Sequence, residues 1–401
     1  MYLDEVVMRK SIILLLTLLI LILQTGCWSR VELNDVAIVT ASAIDLAQDG
    51  KYRLSVQILK MKMTKGISEK GGSSDNATLI ISAKGDTIMD ALNILQKKIP
   101  RLIIFSHNRV VIVGEKMARA GIAPAIDFFS RHREARGNSF LLTTKGEAVE
   151  LLKVPSNFEI FTAEEMREEE KARMLDSASV RDFIYRLFEK GIEPTSSQMQ
   201  VVPLSDQNGK PTKEDEKLGL GLVGVGIYRK DKLLGWMERP EAECLLWLRN
   251  KMGNSVLTVA VPEKDKPPGR VSVQLISAKT KFKSKISGEK IQFDVAIKMT
   301  GELFENSTKL SIKEMNNLNK IQHALEKGIE NRVTMTVKKL QKQFKSDVVG
   351  FGNILHRQHK NDWNIIFADR WEEEFPNIEV NTKATFKLIG TGRANESIVD
   401  E

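Results

Sequence analysis

One cysteine near the start of the chain stands where its thiol could take part in covalent chemistry. Cys27 follows the apolar run SIILLLTLLILILQ, residues 11–24, and two small residues, Thr25 and Gly26. A run of about a dozen apolar residues is typical of a secretory signal, and it is shorter than the roughly 20 residues that a membrane-spanning helix needs. Basic residues precede the run, as they do in export signals. We therefore predict that residues 1–26 are a signal peptide, cleaved between Gly26 and Cys27.

The segment LQTGC, residues 23–27, resembles the lipobox of bacterial lipoproteins, in which a small-residue pair precedes a cysteine that is lipidated on its sulfur. The lipobox favours leucine three residues before the cysteine, whereas here Gln24 holds that place and Leu23 lies one residue earlier. The resemblance implies that Cys27 carries an S-linked diacylglycerol and that its freed amino group is open to a further acyl chain. Two acyl chains bury many methylene groups at roughly 0.8 kcal/mol each, which is enough for stable attachment to a membrane.

Two alternatives remain open for this segment: an ordinary signal peptide, and an uncleaved anchor helix whose cysteine is incidental. The start of translation, Met1 or Met8, is open as well. Asp4 and Glu5 occupy a place where an export signal prefers positive charge, which favours Met8.

The other patterns that could do chemistry lack the context that such chemistry requires. GLGLVG, residues 219–224, matches the dinucleotide fingerprint, but a strand pattern follows it instead of a helix. His356 and His359 could share a helix face, yet no third ligand accompanies them, so we expect no zinc site. We interpret His107, in FSHNR between two predicted strands, as a turn residue, because no G-x-S-x-G motif occurs. The chain is therefore predicted to have no catalytic, cofactor or metal site and no enzymatic activity.

Charge and composition narrow the classes of partner. The net charge of +8 is spread through the chain, which suits an anionic lipid surface, and no basic cluster interleaved with aromatic residues indicates nucleic acid. The acidic segment 164–174 is interpreted as the solvated face of a charged helix. Its glutamates are Glu164, Glu165, Glu168, Glu169 and Glu170. Cys244, the only other cysteine, is expected to be a small buried hydrophobe, so no internal disulfide is predicted.

The elements that position these residues can be predicted from periodicity. Alternating apolar residues predict a hairpin from Val36, with its turn at 48–50. Helical spacing around 88–95 predicts a helix with Asp86 or Thr87 as its N-cap. Strands and helices continue to alternate as far as a polar stretch, SDQNGKPTKEDEK, which we interpret as a linker.

Beyond the linker, the pattern changes to consecutive strands followed by one long helix. A hairpin is predicted with Lys230-Asp231 at its turn, then further strands, an amphipathic helix over 312–344 and a last strand near 377–388. An antiparallel sheet with that helix laid across it buries both apolar faces. The predicted fold class is α+β (mixed α/β) with more than one domain. The predicted divisions are residues 1–26 (signal peptide), 27–204 (with a subdivision near 155 left open), 205–217 (linker) and 218–395.

Two clusters of aromatic and charged residues contain four of the five tryptophans: LLGWMERPEAECLLWL and DWNIIFADRWEEEF. Core packing is the favoured interpretation, and a surface that contacts a partner is the alternative.

These segments occur together in one known family. The chain resembles the Ger(x)C lipoproteins, the C subunits of the nutrient germinant receptors of endospore-forming bacteria. The resemblance rests on GCWSRVELND, FSHNRVVIVGEKMARAGIAPAIDFFSRHREAR, GVGIYRKDKLLGWM with LLWL, DVVGFGNILHRQHKNDW and RWEEEFPNIEV, in this order. The family often has aspartate after the Cys-Trp pair, where this chain has Ser29.

The resemblance implies a non-enzymatic subunit anchored by lipid at Cys27 to the outer face of the spore inner membrane. Such a subunit assembles with integral-membrane A and B subunits and triggers germination when nutrients appear; the nutrient is not identified. A solute-binding lipoprotein of a transport system is the alternative. Candidate partner contacts lie in 105–109 and 351–363. They are Phe105, His107, Arg109, Phe351 and Trp363. The alternative for both segments is a conformational role, given Gly350, Gly352 and the turn around Ser106.

Overall fold

The computed structural model describes residues 2–23, 35–60, 77–135, 137–172, 174–204, 217–252, 255–262 and 267–390. Gly26 and Cys27 lie outside the described residues, and so does 205–216 of the predicted linker. Helix α1, Tyr2–Leu23, contains residues 11–23 of the apolar run of the predicted signal peptide. In the described part of the chain, no helix combines the length and the hydropathy that crossing a bilayer requires.

The first sheet has nine strands, and its central strands are parallel. The strand order is β3-β2-β1-β5-β6-β7-β8-β9, and the short β4 pairs with β1. The strands are β1 Val36–Leu46, β2 Tyr52–Leu59, β3 Thr78–Gly85, β4 Leu102–Ile104, β5 Val110–Gly114, β6 Phe140–Thr144, β7 Thr195–Pro203, β8 Leu218–Arg229 and β9 Lys232–Glu238. Strands β1, β5, β6 and β7 run parallel, and an antiparallel pair of strands extends the sheet at each side.

Helices cover both faces of the central strands. They are α2 Ile88–Lys98, α3 Glu115–Ala120, α4 Ala123–Arg131, α5 Ala148–Lys153, α6 Thr162–Lys171 and α7 Val180–Phe188. Val111 and Val113 of β5 belong to the core that contains α2, α3, α4 and α7, whereas Val110 and Ile112 belong to the core with α5 and α6. The run VVIV is therefore apolar throughout because both faces of this strand are buried.

Local sequence signals account for several element boundaries. The predicted turn of the first hairpin is confirmed, and Gly50 has φ +79° there, a conformation that glycine adopts without a steric penalty. The Thr87 side chain accepts the Asp90 N–H at the start of α2, so Thr87 is the N-cap. Ser179 and Asp182 form a reciprocal capping box at the start of α7.

Strands β8 and β9 belong to the first sheet, because β8 pairs with β7. Residues on both sides of the predicted linker therefore share one sheet, while the division of the chain into domains stays a prediction. The predicted hairpin with Lys230-Asp231 at its turn is confirmed, and Lys230 has φ +54°. GLGLVG lies within β8, so the glycines occupy a strand and do not open a helix.

The second sheet has the order β10-β11-β12-β13. Its strands are β10 Ser255–Val261, β11 Gly269–Ser287, β12 Lys290–Asn306 and β13 Glu379–Gly390. The first three are antiparallel neighbours, as predicted, but β13 lies parallel to β12. The chain between β12 and β13 crosses the sheet as helices, which is the connection that parallel strands require.

The long helix predicted after the strands is present as α9, Met315–Lys339, and a π-helical turn, Leu340–Phe344, continues it. The other helices of this region are α8 Arg239–Leu248, α10 Phe351–Gln358, α11 Lys360–Asp362 and α12 Trp371–Glu374. Helix α9 also protects the outer edge of β13. Three side chains one turn apart, Gln322, Glu326 and Glu330, accept alternate N–H groups of that strand at 3.0 to 3.1 Å. This satisfies donors that an edge strand otherwise presents to solvent.

Candidate functional site

The segment FSHNR begins with a core residue. Phe105 follows β4, and its side chain is 0% exposed. Its ring packs edge-to-face against Phe128 and Phe129 of α4, with centroid distances of 5.9 and 6.1 Å. Its N–H donates to Glu134 Oε2 at 3.3 Å. The apolar ring of Phe105 is therefore part of the core under α4, and its role as a partner contact stays a prediction.

The rest of this segment forms a tight turn between β4 and β5. His107 is exposed, and its Nδ1 lies 3.1 Å from Ser106 Oγ. Asn108 holds the turn to the sheet, since its Oδ1 accepts from Ser42 Oγ at 3.1 Å and its carbonyl accepts from Ser139 Oγ at 2.6 Å. The interpretation of His107 as a turn residue is confirmed.

Arg109 is half-buried and pairs with Glu164 of α6 at 3.5 Å. Of the predicted contacts in the first region, His107 and Arg109 are thus the ones with accessible side chains.

An apolar groove of about 750 Å³ lies beside this turn. Its walls come from the starts of β2 and α2 and from the C-terminal end of α4. Among its lining residues are Tyr52, Ile88, Met89, Phe128, Arg131 and Glu134. Phe128 and Glu134 line the groove and also contact Phe105, so the groove lies next to the turn that carries His107.

The second predicted contact segment is also largely core. Phe351 is 0% exposed, and its ring lies 5.0 Å from that of Phe293 and 5.7 Å from that of Phe282. Trp363 is 1% exposed and packs 5.4 Å from Trp371. Both side chains fill the core beneath the second sheet, and their contact with a partner stays a prediction. The packing interpretation of the tryptophan clusters holds for these residues.

A buried carboxylate holds the backbone just before α10. Asp347 accepts the N–H groups of Gly350, Phe351 and Gly352 at 2.8 to 3.0 Å, and the Trp371 indole N–H at 3.0 Å. Gly350 has φ +90°, which a side chain would strain. Burial raises the pKa of Asp347 to about 6, and these hydrogen bonds limit the rise.

A second buried carboxylate lies where the two regions meet. Asp176 is 0% exposed, and its Oδ2 accepts from Arg249 Nη1 and from Thr195 Oγ1, the latter at 2.8 Å. Arg186 Nη1 lies 3.4 Å from the same oxygen. Burial alone would raise the pKa of Asp176, but the positive charges of Arg249 and Arg186 outweigh burial and hold that pKa well below its usual range.

Arg249 extends this cluster into the second region, because its guanidinium also donates to the Val348 carbonyl next to Asp347. The pKa of Arg249 is lowered to about 10 by its burial and by the charge of Arg186. This cluster was not predicted from the sequence. The available signal was Arg249 directly after the apolar run LLWL, where a charged residue at the end of a buried helix needs a partner.

The prediction that the glutamates of α6 form a solvated face is wrong for two of them, Glu165 and Glu170, which are buried. Glu165 is 5% exposed, and its Oε2 accepts the Asn157 N–H at 2.8 Å. Glu170 is 1% exposed, and neither of its carboxylate oxygens has a hydrogen-bond partner among the described residues. Burial raises the pKa of Glu170 to about 8 and that of Glu169 to about 7. Within the described ranges, no group of three or more candidate ligands could hold a metal ion.

The remaining candidates have structural partners. His356 stacks on Trp363 with a centroid distance of 5.8 Å, and His359 Nε2 lies 3.3 Å from the Ser284 carbonyl. Cys244 is 0% exposed, as predicted, and burial raises the pKa of its thiol to about 12. A thiol with so high a pKa is held in its unreactive protonated form.

Two family models match most of the chain. The model described as "Spore germination protein N-terminal domain" matches residues 29–201. The model described as "Spore germination B3/ GerAC like, C-terminal" matches residues 223–392.

Relatives match along nearly their whole length. The putative spore germination protein YfkR of Bacillus subtilis (strain 168) is 32% identical, over 93% of this chain and 95% of its own. Spore germination protein KC of the same organism is 27% identical, over 97% and 98%. Among solved structures, the crystal structure of the GerBC protein superposes with a TM-score of 0.55 and 21% identity, over 87% of this chain and 97% of that one, which shows a shared fold. This chain therefore belongs to the Ger(x)C family of spore germination proteins.

Proposed function

We propose that this chain is a non-enzymatic, lipid-anchored subunit of a spore nutrient germinant receptor. In this proposal, the protein lies on the outer face of the spore inner membrane and assembles there with membrane-embedded A and B subunits. The observation that carries the proposal is the match of both germination family models in series, which accounts for residues 29–201 and 223–392. The role in spore germination follows from the family, whereas assembly, anchoring and the lack of enzymatic activity belong to the proposal.

The anchor is proposed to be a diacylglycerol on Cys27. The first family match begins at residue 29, so the apolar run and the lipobox-like LQTGC lie ahead of the family domain. With cleavage between Gly26 and Cys27, helix α1 is removed and the lipid alone holds the protein to the membrane. Two acyl chains are sufficient for lasting attachment, whereas one is marginal.

The proposed contact with the A or B subunit is the surface at the turn between β4 and β5. His107 is exposed there and Arg109 is half-buried, while buried Phe105 fixes the backbone that carries them. A turn held by Asn108 and Glu134 presents its side chains in one conformation, which lowers the entropy that binding costs.

The first test is mass spectrometry of the N-terminal peptide of the full chain from membranes of sporulating cells. Cys27→Ala is compared with the native chain, and Cys244→Ala is the matched control because Cys244 is buried and unreactive. We expect a diacylglyceryl group on Cys27 in the native chain and in Cys244→Ala. We expect Cys27→Ala to lose both this group and the germination response.

An unmodified Cys27 in a chain that still fractionates with membranes would overturn the lipid anchor. Co-purification with the A and B subunits tests assembly separately. A chain that binds amino acids or sugars alone and never co-purifies with those subunits would favour the solute-binding alternative.

A further inference from the structure

A second groove, of about 620 Å³, opens where the two regions meet. Its basic residues come from separate elements: Arg186 from α7, Arg249 and Lys251 directly after α8, and Arg357 from α10. Asp182 is the acidic residue among those that line the groove. This groove is distinct from the apolar groove beside His107, because its lining is more polar and the two grooves share no lining residue.

The carboxylates around this groove already have donors. Asp182 Oδ2 accepts from the backbone N–H and hydroxyl of Ser179, at 3.0 and 2.7 Å. Asp176, beneath the groove, is shared by Arg249 and Arg186. Asp347 accepts three backbone N–H groups and an indole. Because these carboxylates already accept hydrogen bonds from the protein, few acceptors in the groove remain to pair with its basic side chains.

Several N–H groups of the basic side chains, in contrast, make no hydrogen bond with the described residues. Both hydrogen bonds that Arg186 makes use Nη1, so its Nε and Nη2 donate to no atom of the described residues. The side chains of Lys251 and Arg357 make no hydrogen bond or ion pair with the described residues, and both residues are exposed. Arg186 itself is only 6% exposed, and a guanidinium in that position favours a partner that completes its hydrogen bonds.

We propose that this groove binds a small molecule through an oxyanion, a carboxylate or a phosphate group. The planar fork of a guanidinium matches such groups in bidentate geometry, and Lys251 adds a point charge. The volume lies within the range of ligand pockets, so there is room for more than the anionic group. Leu248, Phe282 and Ile354 line the groove and provide apolar contacts for the remainder of the ligand.

A ligand in this position would bridge the two regions. Arg186 belongs to a helix that packs on the first sheet, whereas Arg357 belongs to α10, beneath the second sheet. Binding stabilises whichever arrangement brings these residues together, by mass action on that conformation.

The test is calorimetric titration of the full chain in nonionic detergent with sodium phosphate and with sodium citrate. Sodium chloride of matched ionic strength is the reference. The variant Lys251→Gln/Arg357→Gln changes two exposed side chains that make no hydrogen bond or ion pair within the described part of the chain, so it should keep the native melting temperature. We expect saturable binding of phosphate or citrate by the native chain and at least about tenfold weaker binding by this variant.

Lys97→Gln/Lys98→Gln is the matched control, because it removes two exposed positive charges from the last turn of α2, away from the groove. An equal loss of affinity in this control, or no binding beyond that of chloride, would overturn the proposal. Nanodiscs with phosphatidylglycerol distinguish the source of the anion. Displacement of phosphate by these nanodiscs identifies a lipid headgroup as the occupant, and retention of phosphate identifies a soluble molecule.

Discussion

Gly352 of α10 lies directly against Gly191, the residue three positions after α7. A Cβ built on Gly352 would stand 2.6 Å from Gly191 Cα and 2.6 Å from Trp371 Nε1. A hydrogen bond from Asn353 N–H to the Gly191 carbonyl, at 3.0 Å, lies beside this contact. Gly191 also has φ +81°, so both glycines are required, one for space and one for backbone conformation as well. At this point the two regions meet backbone to backbone.

Gly352→Ala should therefore destabilise the protein. The added methyl group meets backbone atoms and an indole nitrogen that Asp347 already holds, so the neighbours cannot move aside cheaply. We expect a loss of at least about 2 kcal/mol in the free energy of unfolding, at the upper part of the range for overpacking. Urea denaturation of the full chain in detergent measures it. Gly137→Ala is the control, because its Cβ would lie at an ordinary 3.4 Å from Arg181. Equal midpoints for both variants would contradict this account.

The sequence predicts elements well where periodicity is strong and local. The β1-β2 hairpin, the cap at Thr87, the Lys230-Asp231 turn and the long helix α9 are all confirmed. Each of these depends on residues that are close in the chain, so a short window contains the whole signal.

Contacts between residues that are far apart in the chain could not be predicted from the sequence. The partner of Arg249 is Asp176, 73 positions earlier, and nothing in either local pattern indicates the other. The burial of Phe351 and Trp363 also depends on strands that are remote in sequence, so their own segment does not indicate it. The direction of β13 likewise follows from a crossover that no single window displays.

Asp176→Asn should be strongly destabilising. The change removes the negative charge that compensates Arg186 and Arg249, both of which remain buried. Breaking a buried ion pair in this way costs about 3 to 5 kcal/mol. Asp369→Asn is the matched control, since its pair with Lys190 is exposed and should contribute nothing measurable. Urea midpoints of the two variants give the comparison, and a native-like midpoint for Asp176→Asn would show that the cluster is dispensable.

Glu170 should make the stability of the protein depend on pH. Burial raises its folded pKa to about 8 from the ordinary 4.5, so the folded state binds this proton more tightly than the unfolded state does. The stabilisation is complete below about pH 4.5 and is lost as the pH rises through about 8. Glu170→Gln cannot ionise, so its unfolding free energy should fall less than that of the native chain between about pH 6 and about pH 9. Exposed Glu168, changed to Gln, should leave the native dependence intact. Parallel curves for Glu170→Gln and the native chain would refute this assignment.

Substitutions of Phe105 and His107 test the proposed contact with the A and B subunits. The first should lower stability, and the second should weaken assembly without lowering stability. Phe105→Ala leaves a cavity beneath α4 and should cost about 3 to 5 kcal/mol of unfolding free energy. His107→Ala changes an exposed turn residue and should stay within about 0.5 kcal/mol of the native chain. We expect the His107 variant to melt like the native chain but to co-purify less with the A and B subunits. Lys97→Ala, an exposed change away from the turn, should alter neither property. Full co-purification of His107→Ala would remove this turn from the interface, because a folded variant that lacks a contact side chain must bind more weakly if that side chain contributes.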